Sequence, residues 1–188
     1  MPVEDSKVTE FNLLVRAGAT ARDSLRAYLM QTPSILDQHE TNSAVSLIDT
    51  YMFEAMEEHD LSGMESLLSA GLDPNQVRRG HGEGVTLLMS ASYSNEPRLV
   101  SLLLQHGADP NKGDGKGWTP LMFAVALSET LATDAQTSAA VVRLLLAAGA
   151  RKAARNACGH TAEDILSFQQ GYCSPDEIDS VANALRKE

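Results

Sequence analysis

Residues 67–75 read LLSAGLDPN, and residues 102–111 read LLLQHGADPN. The two stretches align with Gly71 and Gly107 in register, 36 residues apart. A third copy, LLLAAGA, closes on Gly149 and Ala150, 42 residues further on. Ahead of each later copy stands a matching opening segment: GVTLLMSAS from Gly84, GWTPLMFAV from Gly117 and GHTAEDIL from Gly159. The first two openings lie 33 residues apart, and self-similarity at such a period marks a stacked repeat architecture.

The residues of one unit predict its shape. Thr119 and Pro120 open a helix, because proline tolerates the first turn, where its missing N–H has no partner to lose. Leu121, Ala124 and Val125 then supply an apolar stripe. A second helix carries Val141, Leu144, Leu145 and Leu146 and stops at Gly149, which can enter the left-handed conformation beyond a helix end. The connecting turn DPNKGDGKGW (109–118) is rich in Asp, Asn and Gly, as tight reversals demand. In Asp-Pro-Asn at 73–75 and 109–111, proline is read as fixing the exit from the helix, with Asp and Asn satisfying backbone groups of the turn. A pair of short helices cannot bury both of its apolar faces alone, whereas stacked neighbours share one core.

GWTPLMFAV…VVRLLLAAGA resembles the ankyrin repeat, whose usual pattern runs G-x-T-P-L-H-x-A-A and then V-x-L-L-L-x-x-G-A-D. The resemblance covers roughly residues 45–188. It implies an all-α solenoid of antiparallel helix pairs with hairpin loops along one side. Four units are expected, near 45–80, 81–113, 114–155 and 156–188, together forming an array over 43–188. Residues 1–42 fit no unit. Val8, Phe11 and Leu14, then Leu25, Tyr28 and Leu29, suggest an N-terminal helical cap over the first unit. LLVRAGA at 13–19 reads as a helix with a glycine stop in preference to a decayed repeat ending.

The departures from the family pattern carry their own expectations. Met89, Met122 and Asp164 replace its histidine, so the hydrogen bonds which that residue supplies are expected to be missing and the array less rigid. The first unit lacks the opening motif and shows a long amphipathic helix through Ala44, Leu47, Ile48, Tyr51, Met52, Ala55 and Met56. The second has a lengthened hairpin, QVRRGHGEG, and the third an insert around LSETLATDAQTS. SPDE at 174–177 marks a capped final helix, Ser174 before Pro175 and Glu177.

Composition excludes several classes of function. The chain has 188 residues with 43% hydrophobic and 21% charged, which suits one soluble domain. Its sparse aromatics, 5%, leave the core to Leu, Ala, Val and Met. No apolar run approaches the roughly 20 residues of a membrane span, and the polar, acidic N-terminus lacks the pattern of a secretory signal. The two cysteines, Cys158 and Cys173, have no CxxC spacing, so a reducing cytoplasm is expected. The net charge is −10, and residues 27–77 contain no Lys or Arg at all. That field repels phosphate backbones and attracts a basic partner, or else serves solubility alone.

Chemistry-bearing motifs are sparse. GDGKGW (113–118) lacks the GK[ST] ending and spacer of a phosphate loop. DPNKGDG puts Gly113 and Asp114 where a calcium loop needs the reverse order, and Pro120 where it needs a bidentate Glu. The five histidines show no metal spacing, and no GxSxG elbow occurs. No cofactor, metal or catalytic residue is expected. An enzyme using Cys158 is the least favoured reading.

The family resemblance instead implies protein contacts through hairpin tips and the inner, concave helix faces. Trp118, the single tryptophan, sits at a tip position as an anchor for a partner or a lid on the neighbouring hairpin. Tyr93 and Leu127 fall at inner helix positions, Tyr93 open also to a simple packing role. Glu54, Glu57 and Glu58 would put negative charge on the first unit's inner side. Arg78 and Arg79 form a basic island in the long hairpin, pairing with that acid or with a partner's carboxylates. Glu83 and Lys116 complete the tips. The expected function is a non-enzymatic adaptor or inhibitor, a monomer gripping a folded protein with a basic surface. Neither nucleic acid nor membrane is an expected partner. An antidote neutralising a basic toxin enzyme fits the same charge logic. A regulatory subunit with a salt-insensitive, aromatic-centred interface is the competing class.

Overall fold

The computed structural model describes residues 61–69, 72–77, 84–126, 135–169 and 174–186. The chain divides into two compact units, 1–73 and 74–188. The first contains helix α1 (Leu61–Ser69), in which Met64, Leu67 and Leu68 are buried. Leu72 N–H donates to Leu67 C=O (3.2 Å), closing the end of that helix.

The second unit holds six helices among its described residues: α2 (Leu87–Tyr93), α3 (Pro97–Gln105), α4 (Pro120–Val125), α5 (Ala135–Ala147), α6 (Ala162–Phe168) and α7 (Pro175–Arg186). They alternate in role. The first helices α2, α4 and α6 pack side by side in one row, and the second helices α3, α5 and α7 form another behind it. Leu87, Leu88 and Met89 of α2, Leu121 and Met122 of α4, Val142 and Leu145 of α5, and Val181 of α7 form the core, all essentially inaccessible to water. Each such leucine contributes about 2 kcal/mol by leaving solvent. The core rests on Leu, Val, Ala and Met, as composition predicts, and the described residues contain an isolated β-bridge, Val77–Thr86, but no strand.

The repeated LLxxGA stretch ends a helix by backbone hydrogen bonding. Gly107 N–H reaches Leu104 C=O (3.1 Å) and Ala108 N–H reaches Leu103 C=O (3.0 Å). Gly149 to Leu146 (2.9 Å) and Ala150 to Leu145 (3.0 Å) repeat the pattern. Both glycines have φ near +90°, the left-handed turn that this helix ending requires.

Two sequence expectations are corrected. The asparagines of Asp-Pro-Asn reach beyond their own turns to backbone groups of the next, joining neighbouring units. Asn75 Nδ2 donates to Gly107 C=O (3.2 Å), and Asp109 N–H donates to Asn75 Oδ1 (2.7 Å). Asn111 does the same one unit on, to Gly149 C=O (3.0 Å) and from Arg151 N–H (2.8 Å). Asp109 does behave as read, its Oδ1 accepting from Asn111 N–H (2.8 Å). The helix openings also keep hydrogen bonds that the loss of histidine was expected to remove. Thr86 N–H donates to Met89 Sδ (3.3 Å), while Met89 N–H donates to Thr86 Oγ1 (3.2 Å). Asp164 Oδ2 accepts from both Thr161 N–H (2.8 Å) and Thr161 Oγ1 (2.9 Å). A thioether or a carboxylate three residues into the helix can thus take the donor at the cap. α4 opens without a side-chain cap and relies on Pro120. Glu177 N–H donates to Ser174 Oγ (3.3 Å), as the SPDE motif predicts.

Replacing Asn111 with Ala removes both bonds of one inter-unit joint. A loss of about 1 kcal/mol in unfolding free energy is expected, since the freed groups regain water. Urea unfolding followed by far-UV circular dichroism measures it.

Candidate functional site

The hairpins at 114–118 and 156–160 are each shaped by one side chain at the base. Asp114 Oδ1 accepts from the N–H groups of Lys116 (2.9 Å) and Trp118 (2.7 Å). Asn156 Oδ1 accepts from Cys158 (3.0 Å) and His160 (3.0 Å) in the matching places. These tips therefore have the same backbone, and Trp118 and His160 occupy equivalent positions. Ala157 N–H donates to Lys116 C=O (2.8 Å), fastening one tip to the next. Gly117 allows the approach: a Cβ there would stand 3.3 Å from Asn156 Cα.

Trp118 is half-buried and rests on Phe123, with ring centroids 5.5 Å apart. Phe123 in turn meets Tyr93 edge-on at 6.4 Å and 87°. Tyr93 is 46% exposed. A tip, the middle helix of the row and the end of the preceding first helix thus contribute to one aromatic cluster. Such ring contacts add about 1 kcal/mol each beyond the area they bury. In the last unit, His160 and Phe168 repeat the theme at 5.0 Å and 71°, and Phe168 is 56% exposed.

The sequence-predicted site residues divide accordingly. Tyr93 and Trp118 come together, with Lys116 exposed at the same tip. Glu54, Glu57, Glu58, Arg78, Arg79, Glu83 and Leu127 lie outside the described residues, as do the N-terminal cap and most of the insert in the third unit. Sequence reading missed Phe123, which links the two aromatic candidates, and Phe168. The signal was present: both are large aromatics on first helices whose buried stripe is filled by other residues, Leu121, Ala124 and Val125 in one and Ala162, Ile165 and Leu166 in the other. Cys158 is exposed at the tip, its backbone N–H held by Asn156. Among the described residues no group of three His, Cys, Asp or Glu side chains could hold a metal, and no helix is long and apolar enough to cross a membrane.

Among the described residues, Asp164 is the titratable group with a resolved shift. The backbone and hydroxyl hydrogen bonds from Thr161 lower its pKa from the ordinary value of 3.8, helped by Arg155, whose Nη1 stands 3.9 Å away.

The sequence family described as ankyrin repeats, three copies, matches residues 52–156. The chain belongs to the ankyrin-repeat family. Over 74 residues it is 39% identical to the potassium channel AKT1 of Oryza sativa subsp. indica, covering 39% of this chain and 8% of the channel. Over 95 residues it is 37% identical to ankyrin repeat and SAM domain-containing protein 6 of Rattus norvegicus, covering 50% of this chain and 10% of that protein. The chain therefore spans a tenth or less of the length of these relatives. The crystal structure of the ankyrin repeat domain of Bcl-3, a member of the IkappaB family, superposes with a TM-score of 0.54 at 24% identity. That superposition covers 70% of this chain and 50% of the other, and it shows the shared fold. Ankyrin repeats make this chain a protein–protein interaction module.

Two outcomes are expected from these contacts. Phe123→Ala should shift Trp118 emission to the red and lower unfolding free energy by about 2 kcal/mol, roughly half the penalty of a fully buried Phe. Fluorescence during urea titration reads both. For Asp164, the depressed pKa means its stabilisation is complete above pH 3.8 and is lost as pH falls through the lower folded value. Asp164→Asn should accordingly flatten the dependence of the urea midpoint on pH between 5 and 3.

Proposed function

We propose that this ankyrin-repeat protein is a non-enzymatic adaptor or inhibitor that grips a folded partner across its row of first helices and its hairpin tips. The observation carrying this reading is the Tyr93–Phe123–Trp118 cluster. It places partly exposed aromatic surface from two adjacent units on a stacked backbone. Rigid aromatic side chains ordered before binding lose little entropy on contact, and truncating such anchors costs about 2 kcal/mol or more of affinity. The partner carries a basic patch, because residues 27–77 hold nine carboxylates and no Lys or Arg. Charge of one sign speeds encounter and weakens with salt. An inhibitor of this kind, neutralising a basic enzyme, is the most specific form of the reading. The aromatic cluster favours a second form, a regulatory subunit whose interface is insensitive to salt.

Affinity capture from a lysate of the source cells at 50 and 500 mM NaCl separates these forms. The bait is wild type, Trp118→Ala, or the triple variant Glu54→Lys, Glu57→Lys, Glu58→Lys. The basic-partner reading expects a basic protein lost both to high salt and to the triple variant. Retention at high salt with loss on Trp118→Ala supports the aromatic-centred form. Capture unaffected by every change removes both surfaces from consideration.

A further inference from the structure

The hairpins leading into the third and fourth first helices differ in charge from the chain as a whole. Residues 108–118 and 150–160 contain Lys112, Lys116, Arg151, Lys152 and Arg155 against only Asp109 and Asp114. The surplus is positive in a protein of net charge −10. Two hydrogen bonds hold these hairpins side by side, Arg151 N–H to Asn111 Oδ1 near their bases and Ala157 N–H to Lys116 C=O at their tips. Lys116, Arg151, Lys152 and Arg155 are exposed. Asp109 and Asp114 each have an oxygen engaged by backbone donors of their own turns. Arg155 is anchored by Gly159 C=O and shared with Asp164, an exposed pair of little net worth. Trp118 and the exposed Phe168, which meets His160 edge-on, belong to the same two units.

We propose that the third and fourth hairpins bind a short acidic segment of a protein partner, one that carries Asp or Glu interspersed with aromatic or aliphatic residues. The proposal rests on the interaction-module reading and extends it. The partner is bipolar, with a basic patch for the early acidic part of this chain and an acidic segment for the later hairpins. A nucleic acid fits less well. A polyanion that tracks beyond the two hairpins meets Glu163, Asp176 and Asp179, all exposed on α6 and α7 of the last unit. A short acidic segment ends before them.

The test pans displayed random 12-residue peptides on the full chain at 50 mM NaCl. Enriched sequences are then synthesised with a fluorescent label, and their Kd is measured by anisotropy. The expected result is a class of acidic peptides containing Phe, Trp or Leu. These should bind at least tenfold more weakly to the Lys116→Glu, Arg151→Glu, Lys152→Glu variant, and several-fold more weakly to the matching Gln variant. Arg155 is left intact because it closes its hairpin, and far-UV circular dichroism with Trp118 emission checks that both variants are folded. Acidic peptides that bind the folded variants as tightly as wild type overturn the proposal, as does their failure to enrich. A labelled single-stranded 12-mer of uridylate that binds tighter than any peptide overturns it in favour of nucleic acid. Basic peptides enriched without acidic ones leave the basic-partner reading standing and remove this extension alone.

Discussion

Asn75 and Asn111 each accept a backbone N–H and donate to the carbonyl of the glycine that ends the next unit's second helix. This joint sets where each unit begins relative to the last, and the rest of the stack depends on it. The first helices have only six or seven residues, too few to persist in water without neighbours. Their stability comes from lateral packing against neighbouring helices, which the asparagine joints accompany. The glycines at 107 and 149 complete the constraint by freeing carbonyls that a continuing helix would have used.

Because the units repeat, a side chain at one position of a unit recurs at a regular place along the stack. Asp114 and Asn156 form the same tip, one with a carboxylate and one with an amide, because each needs only one oxygen to gather two N–H groups. The scaffold therefore tolerates variation in everything the oxygen does not touch. Trp118 and His160 stand at one such position, and each packs on a phenylalanine from a first helix. Recognition surfaces arise here by changing what a fixed backbone displays.

Charge is distributed along the chain with the same independence from the core. Acid dominates residues 27–77, and base dominates the hairpins near 112–116 and 151–155. Among the described residues, Glu65, Asp73, Lys112, Lys116, Arg151, Lys152 and Arg155 all lie outside the buried set, so their arrangement costs the fold little.

Much of the fold was legible because its causes are local. Helix starts at Thr-Pro, helix stops at Leu-Leu-x-x-Gly and turns at Asp-Asn-Gly follow from backbone sterics within a few residues, and the period follows from counting them. Capping by Met89 and Asp164 was also local, yet it escaped reading because neither a thioether nor a carboxylate resembles the imidazole it replaces. The sequence by itself determined the repeat, its helices, its apolar faces and the candidacy of Tyr93 and Trp118. Only the tertiary structure decided that Asn111 reaches Gly149 and Arg151, that Phe123 joins Trp118 to Tyr93, and that Lys116 lies beside the hairpin of Arg155. These contacts span tens of residues along the chain. Their partners are chosen by how far one unit is offset from the next, and that offset is a property of packing.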